Sequence, residues 1–266
     1  MSAPDTWNPA QYRKFGAERA RPFDDLLALV EPAPGGRAVD LGCGTGELTA
    51  RLHRHLGAAA TVGLDSSAAM LEKARPLEGD GLRFELGDIA AFAADAGYDV
   101  VLSNAALHWI PDHPALLARL RAALRPGGQL AVQVPANADH PSHALAFEVA
   151  NEAPFAEALR AAGDALDEAT PVLAPERYAE RLDELGFADQ HVRLQVYGHH
   201  LARSADVVEW TKGTTLTRYQ RGLAPALFDQ FVARYRARLL GAIGERAPYF
   251  YTFKRLLFAA RLPAPA

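Results

Sequence analysis

The chain has 266 residues, 49% of them apolar, and a net charge of −4, which allows one large α/β domain or a core with a lid. That charge gives no general attraction to nucleic acid, and no apolar run is long enough to span a bilayer. Cys43 is the single cysteine, which excludes an intrachain disulfide, and Met1 to Trp7 lacks a basic region followed by an apolar run; a cytoplasmic protein without an export signal is expected.

Charge is uneven along the chain: residues 1–205 carry −10 and residues 206–266 carry +6. A basic segment on an acidic protein suits a small anionic substrate. Arginines one turn apart, such as Arg234 and Arg238, equally describe a solvated helix face.

Trp7, Tyr12 and Phe15, then Arg19 and Arg21, lead into a helical run through Phe23, Leu26, Leu27 and Val30. Pro32, Pro34 and Gly35 break the chain. Arg37 to Leu41 is strand-like, and Leu48, Leu52 and Leu56 recur as one face of a helix. Between them, Gly42, Gly44 and Gly46 form G-x-G-x-G, with Asp40 just ahead. Glycine there permits positive φ and close approach of a ligand to the backbone, and the helix start that follows attracts an anion. The dinucleotide fingerprint is G-x-G-x-x-G, and Glu47 stands where its third glycine belongs.

Thr61 to Leu64 is a second strand ending in Asp65, 21 residues after Gly44. An acid at that distance can accept both hydroxyls of a ribose. Asp65-Ser66-Ser67 also reads as a helix N-cap, and Met70 suits either an adenine or the core. Leu82 to Leu86 is a third strand, followed by Gly87-Asp88-Ile89. Tyr98 to Ser103 is a fourth, apolar on both faces as a central parallel strand should be, and Asn104 to Trp109 follow it. His108 could be a general base and Trp109 a wall of the site; a packed structural pair is the alternative. A helix at 115–124, a turn at Arg125-Pro126-Gly127-Gly128 and a fifth strand at Gln129 to Val134 complete an alternating β-α pattern, which argues for a parallel sheet covered by helices.

After Pro135 the regularity stops. Residues 136–178 read as a polar, then mostly helical insertion, 175–185 as a helix, 192–196 and 199–201 as a late strand, 206–241 as helix and 250–262 as a last strand. Asp139, His140 and His143 do not make a metal site, since no fourth ligand is evident.

The D-L-G-C-G-T-G stretch at 40–46, with G-D-I at 87–89, resembles the class I methyltransferases that use S-adenosylmethionine (SAM). The resemblance narrows over W-N-P-A-Q-Y (7–12), E-R-A-R-P (18–22), L-D-S-S-A-A-M-L (64–71), S-N-A-A-L-H-W-I-P-D-H (103–113), L-A-V-Q-V-P-A-N (130–137), P-S-H (141–143), W-T-K-G-T (210–214) and F-K-R-L-L-F-A-A-R (253–261). The chain is similar there to the trans-aconitate 2-methyltransferase family. This implies a Rossmann-like, doubly wound seven-stranded sheet with a mostly helical cap: core at 1–135, cap at 136–178, core again at 179–205, cap at 206–250, and last strand and tail at 251–266. It implies SAM as cofactor and S-adenosylhomocysteine (SAH) as product. Cofactor contacts are expected from Tyr12, Arg19, Asp40, Gly42, Gly44, Gly46, Asp65, Ser66, Met70, Asp88, Ile89 and Asn104. Substrate contacts are expected from Arg21, Trp109, His143, Arg218, Tyr219, Lys254 and Arg255.

Two departures fall where the acid would be held. The family continues W-T-K-G-T with leucine, arginine, proline and an aromatic residue; here Leu216-Thr217-Arg218-Tyr219 stands. A proline usually precedes the residue at Phe253, and here it is Thr252. Three rivals remain at this stage. They are a methyltransferase for another acceptor (a carrier-bound malonyl-type acid or a natural-product hydroxyl), a NAD-dependent oxidoreductase, which the glycine spacing opposes, and a non-catalytic SAM-binding regulator. The expected partner is a small anion, neither nucleic acid nor membrane; the sequence sets no oligomeric state.

Overall fold

The computed structural model describes residues 16–164, 166 and 170–264. Trp7, Tyr12 and Phe15 therefore lie outside the described residues. The described residues divide into two compact units: a core of residues 17–136, 171–195 and 255–264, and a second unit of residues 16, 137–164, 166, 170 and 196–254.

In the core, α1 (Gly16–Leu27) leads to β1 (Arg37–Leu41), α2 (Glu47–Leu56), β2 (Ala60–Asp65), α3 (Ala68–Ala74), β3 (Leu82–Leu86), β4 (Tyr98–Asn104), α4 (His113–Ala123) and β5 (Leu124–Pro135). Later come α7 (Pro175–Glu184), β6 (Ala188–Leu201) and β7 (Tyr249–Arg261), these last two shared with the second unit. The sheet has seven strands in the order β3-β2-β1-β4-β5-β7-β6. β1 pairs in parallel with β2 and β4, β2 with β3 and β4 with β5, while β7 runs antiparallel to β5. The order reverses between β1 and β4, which opens a crevice at their carboxyl ends, the usual place for a ligand in such a sheet.

Alternation along the strands builds two cores. Val39, Leu41, Val101, Leu130, Val132, Leu256 and Phe258 meet α4 and α7 through Leu116, Leu120, Tyr178 and Leu182. Ala38, Val100, Leu102, Ala131, Leu257 and Ala259 face α1 and α2 through Phe23, Leu26, Leu52 and Leu56. Each buried leucine contributes roughly 1.5–3 kcal/mol by leaving water, so both faces of the central strands must be apolar.

The second unit has helices α5 (Pro141–Ala150), α6 (Phe155–Ala161), α8 (Asp206–Lys212), α9 (Thr217–Gly222) and α10 (Pro225–Ile243). Its core holds Trp210, Tyr219, Phe231, Tyr235, Leu239 and Tyr251. The single helix expected at 206–241 is three, because Gly213 and Gly222 end α8 and α9 and Pro225 starts α10. The late strand is continuous over Ala188–Leu201. It lies at the sheet edge, where Leu194 and Val196 are exposed and Arg193 and Gln195 half-buried, so the usual apolar-in, polar-out alternation is inverted there.

Candidate active site

The glycine loop joins β1 to α2. Gly42 has φ +83°, and a Cβ on it would sit 2.2 Å from the Ala106 Cβ and 3.4 Å from the Ile89 Cδ1. Gly46, also at φ +83°, would place a Cβ 2.6 Å from the Phe84 ring. Packing therefore demands glycine at both positions. Gly44 differs: its φ is +56° and nothing lies within 4 Å of a Cβ there, so the loop presents an open backbone face.

The second strand holds this loop. The Gly42 and Cys43 N–H groups donate to the Leu64 carbonyl at 2.8 and 3.0 Å. Asp65 Oδ2 accepts from the Gly44 N–H at 2.8 Å and Oδ1 from the Ser67 N–H at 2.9 Å. Ser67 caps α3 by accepting from the Met70 N–H at 3.2 Å, while Ser66 is exposed and Met70 buried. Asp40 is 3% exposed and accepts from the Thr49 hydroxyl at 2.6 Å. Burial, aided by the nearby Asp65 charge, pushes its carboxyl up to about 7. Asp88 accepts from the Ala90 N–H at 2.8 Å and starts the turn that carries Ile89.

β4 ends at Asn104, whose Oδ1 is buried and accepts no hydrogen bond from any described residue. Ala105 takes φ +56°, an uncommon conformation for a residue with a side chain, and turns the chain over the loop. Leu107–Trp109 is then a short 3₁₀ turn with the His108 and Trp109 rings 4.6 Å apart. Sequence reasoning missed what holds this turn. His113 is buried, its Nε2 meets the Leu107 carbonyl at 3.0 Å, and its Nδ1 meets the Tyr178 hydroxyl. A carbonyl only accepts, so Nε2 carries the proton and the Tyr178 hydroxyl donates to Nδ1. Tyr178 itself accepts from the Leu173 N–H at 3.4 Å. Burial holds His113 below the usual imidazole range, which keeps it neutral.

The structure thus gathers Asp40, Gly42, Gly44, Gly46, Asp65, Ile89 and Asn104 at the carboxyl ends of β1 to β4. A cofactor with a ribose and a cationic group fits this set. Asp65 can face a diol, Gly44 leaves its backbone open, and Asn104 Oδ1 and Asp40 supply acceptors. Arg19 lies in α1, Arg21 is exposed on the same helix, and Tyr12 is outside the described residues.

The expected substrate groups divide differently. Arg255 belongs to the core; it is 6% exposed and its Nη1 donates to Gln133 Oε1 at 3.1 Å. In the second unit, Arg218 grips Asp164 with Nε and Nη2 at 2.8 and 2.6 Å. Tyr219 is 2% exposed, with its ring 5.1 Å from that of Phe231, and burial pushes its hydroxyl up to about 12. Lys254 pairs with Asp139. His143 meets Ser142 Oγ at 2.9 Å, and burial, with His140 beside it, pushes the imidazole down to about 3. The fully buried Ser142 hydroxyl also meets His140 Nδ1 and the Tyr251 hydroxyl, each at 2.9 Å. Asp139, His140 and His143 are thus tied into hydrogen bonds and an ion pair, and among the described residues no cluster suits a metal.

Comparison with known proteins places this site. Residues 38–128, from β1 to the turn inside β5, match the methyltransferase domain family. The chain is 47% identical to a trans-aconitate 2-methyltransferase of Deinococcus radiodurans over 97% of its length and 99% of the relative's. It is 41% identical to another of that name from Variovorax paradoxus, over 96% of each. Among solved structures, the YcgJ protein of Bacillus subtilis superposes with a TM-score of 0.59 at 13% identity, covering 92% of this chain and all of that one. At that identity the likeness speaks for the fold alone. The relatives' match runs through the second unit as well as the core, and the chain therefore belongs to the trans-aconitate 2-methyltransferase family, class I methyltransferases that take S-adenosylmethionine and leave S-adenosylhomocysteine.

Proposed function

We propose that this protein methylates a carboxylate of trans-aconitate, giving the monomethyl ester, and that it does so in the cytoplasm. The observation that carries the reading is the end-to-end identity of 47% to a relative named for that reaction. The single, buried Cys43 fits a reducing compartment.

When bound, SAM supplies an electrophilic methyl group on a sulfonium. The acceptor carboxylate is already ionised near neutral pH, so no strong general base is needed. The chain's own tasks are alignment and exclusion of water. Gly42, Gly44, Asp65, Asp88, Ile89 and Asn104 hold the cofactor in this reading, with Asp40 behind the loop. Trp109 and His108 wall the reacting carboxylate. Lys254, Arg255 and His143 are candidates for the non-reacting carboxylates, because a tricarboxylate needs cationic and hydrogen-bonding partners. Arg218 is a weaker candidate, since the Nε and Nη2 edge of its guanidinium is engaged by Asp164.

The test is release of SAH from SAM with trans-aconitate, beside cis-aconitate, isocitrate and itaconate and a blank without acid. Saturable release with trans-aconitate is expected. Intact SAM binding without release above the blank overturns the substrate and points to another acceptor, such as a carrier-bound malonyl-type acid. Replacing His108 by Asn should lower turnover only modestly. A thousandfold fall with SAM binding kept would instead favour proton abstraction.

A further inference from the structure

Strands covered by helices on both faces are apolar on both faces. On the side that packs against α1 and α2 this rule fails along a diagonal that steps toward the open end of the sheet from β1 to β7. Val100, Leu102, Ala131, Leu257 and Ala259 belong to the apolar cluster of that face. The residues in phase with that cluster near the open end of the sheet are Asp40, Asn104, Gln133 and Arg255. Their strands are neighbours, in the order β1-β4-β5-β7. Asn104 is in register with Gln133, and Arg255 with Pro135, two residues further along. A polar row therefore crosses the sheet beside the glycine loop.

The row has a direction. Its β1 and β4 end offers acceptors, the Asp40 carboxyl and Asn104 Oδ1. Its β5 and β7 end offers donors. A guanidinium can only donate, so the Gln133 amide turns its oxygen to Arg255, and that contact at 3.1 Å fixes the amide's orientation. Gln133 Nε2 sits beside that contact on the same planar amide. Gln133 is fully buried, and its Nε2 makes no hydrogen bond with any described residue. A buried donor left unmet is rare and destabilising. Here one unmet donor and one unmet acceptor, Asn104 Oδ1, sit on adjacent strands in the same row. Packing alone would have replaced both amides by leucine or valine.

We propose that Gln133 and Arg255 form the subsite for a carboxylate of the acceptor acid, with Gln133 Nε2 donating to that carboxylate and Gln133 Oε1 aiming the Arg255 guanidinium at it. The proposal rests on the methyltransferase reading given above and adds Gln133 as a specificity-determining residue. The acceptors at the other end of the row suit a cationic cofactor and the donors at this end an anion, so each ligand is drawn to its own side. A carboxylate held by an arginine and an amide makes charge-assisted hydrogen bonds, the strong kind in a site shielded from water.

The experiment uses the full chain and titrates trans-aconitate into its SAH complex by calorimetry, with SAH affinity and melting temperature measured alongside. Gln133→Met keeps the side chain's length and removes the donor. It should weaken acid binding about tenfold or more and raise KM in step, with SAH affinity changed less than about threefold. Gln133→Glu keeps the shape and gives Arg255 a carboxylate of its own. It should abolish acid binding while leaving the melting temperature equal or higher. Normal acid binding by both variants overturns the subsite, as does a loss confined to SAH binding. The parent's own turnover separates this from the substrate assignment: if it ignores trans-aconitate but binds cis-aconitate, isocitrate or itaconate, the variants are judged on that acid. A parent that binds none of these acids overturns both.

Discussion

Each unit holds an aspartate whose carboxyl departs from its ordinary range, and the two shift in opposite directions. Asp40, in the core, is buried with, among the described residues, only the Thr49 hydroxyl donating to it, and burial raises its carboxyl to about 7. Asp164, in the second unit, is gripped by both arms of Arg218 and held below the usual carboxylate range. The same contrast runs through the other polar groups. The core leaves Asn104 Oδ1 and Gln133 Nε2 unmet among the described residues, whereas in the second unit Ser142, His140, His143, Tyr235 and Tyr251 bond to one another. A fold that satisfies a buried polar group is using it as structure. One left unsatisfied beside a ligand crevice is a candidate contact for that ligand.

The sharpest way to break the core's side of this contrast is the glycine loop. Gly42→Ala forces a methyl to 2.2 Å from Ala106 at positive φ, and should cut SAH affinity at least about a hundredfold while lowering the melting temperature. Gly44→Ala meets no neighbour, so its strain is limited to about 1 kcal/mol in stability. If Gly44→Ala nevertheless loses SAH binding in calorimetry, the open face of the loop is where the cofactor lies. Equal, small effects from both changes would mean that the loop is a plain turn.

Asp40 comes next. Its folded-state value lies above its unfolded one, so its contribution to stability is present below about pH 4 and is lost as pH rises toward 7. The ligand-free protein should therefore lose melting temperature from pH 5 to 8 more steeply than Asp40→Asn does. A cationic cofactor favours the ionised form, so SAM affinity should rise over the same range and go flat in the variant. Parallel slopes in parent and variant would show that Asp40 does not titrate there.

His113 makes a smaller and more local prediction. His113→Gln can still donate to the Leu107 carbonyl and accept from Tyr178, and should keep most of kcat. His113→Leu leaves both partners unmet, at a cost of about 1–3 kcal/mol in stability. It should also lower kcat well beyond any change in SAM affinity, because the His108–Trp109 turn loses its anchor. A fall in melting temperature with kcat intact would reduce His113 to a packing residue.

How much of this could be read from the chain alone follows the sequence distance of the contacts. The glycine loop, Asp65 and the Asp88-Ile89 pair sit at strand ends whose spacing is local, so their placement was legible. Gln133 was not: in L-A-V-Q-V-P it looks like one polar residue in a strand, and its partner Arg255 is 122 residues away. Arg218 and Tyr219 are expected as substrate groups from the resemblance in the segment after W-T-K-G-T. On a helix adjacent residues diverge, and one grips Asp164, 54 positions earlier, while the other fills the core of its unit. The breaks in the helix expected at 206–241 were written in Gly213, Gly222 and Pro225; the apolar stripe of Leu227, Phe228, Phe231, Val232, Tyr235 and Leu239 lies wholly within α10 and says nothing of the residues before it.

The smallest effect tests the second unit's side of the contrast. Asp164 and Arg218 keep 17% and 31% of their side-chain surface exposed, so their pair contributes about 1 kcal/mol or less. Because the Asp164 value is depressed, that stability is present above its ordinary value of 3.8 and disappears as pH falls through the lower folded-state value. Asp164→Asn should therefore melt slightly below the parent at pH 7 and converge with it as pH falls through the depressed folded-state value, with SAH and acid affinities unchanged. Were Arg218 a substrate group instead, removing the Asp164 carboxylate would release the guanidinium edge it holds, and acid binding at pH 7 would tighten rather than stay constant. The two outcomes differ in sign, so a modest titration separates an arginine that builds the second unit from one that reads the substrate.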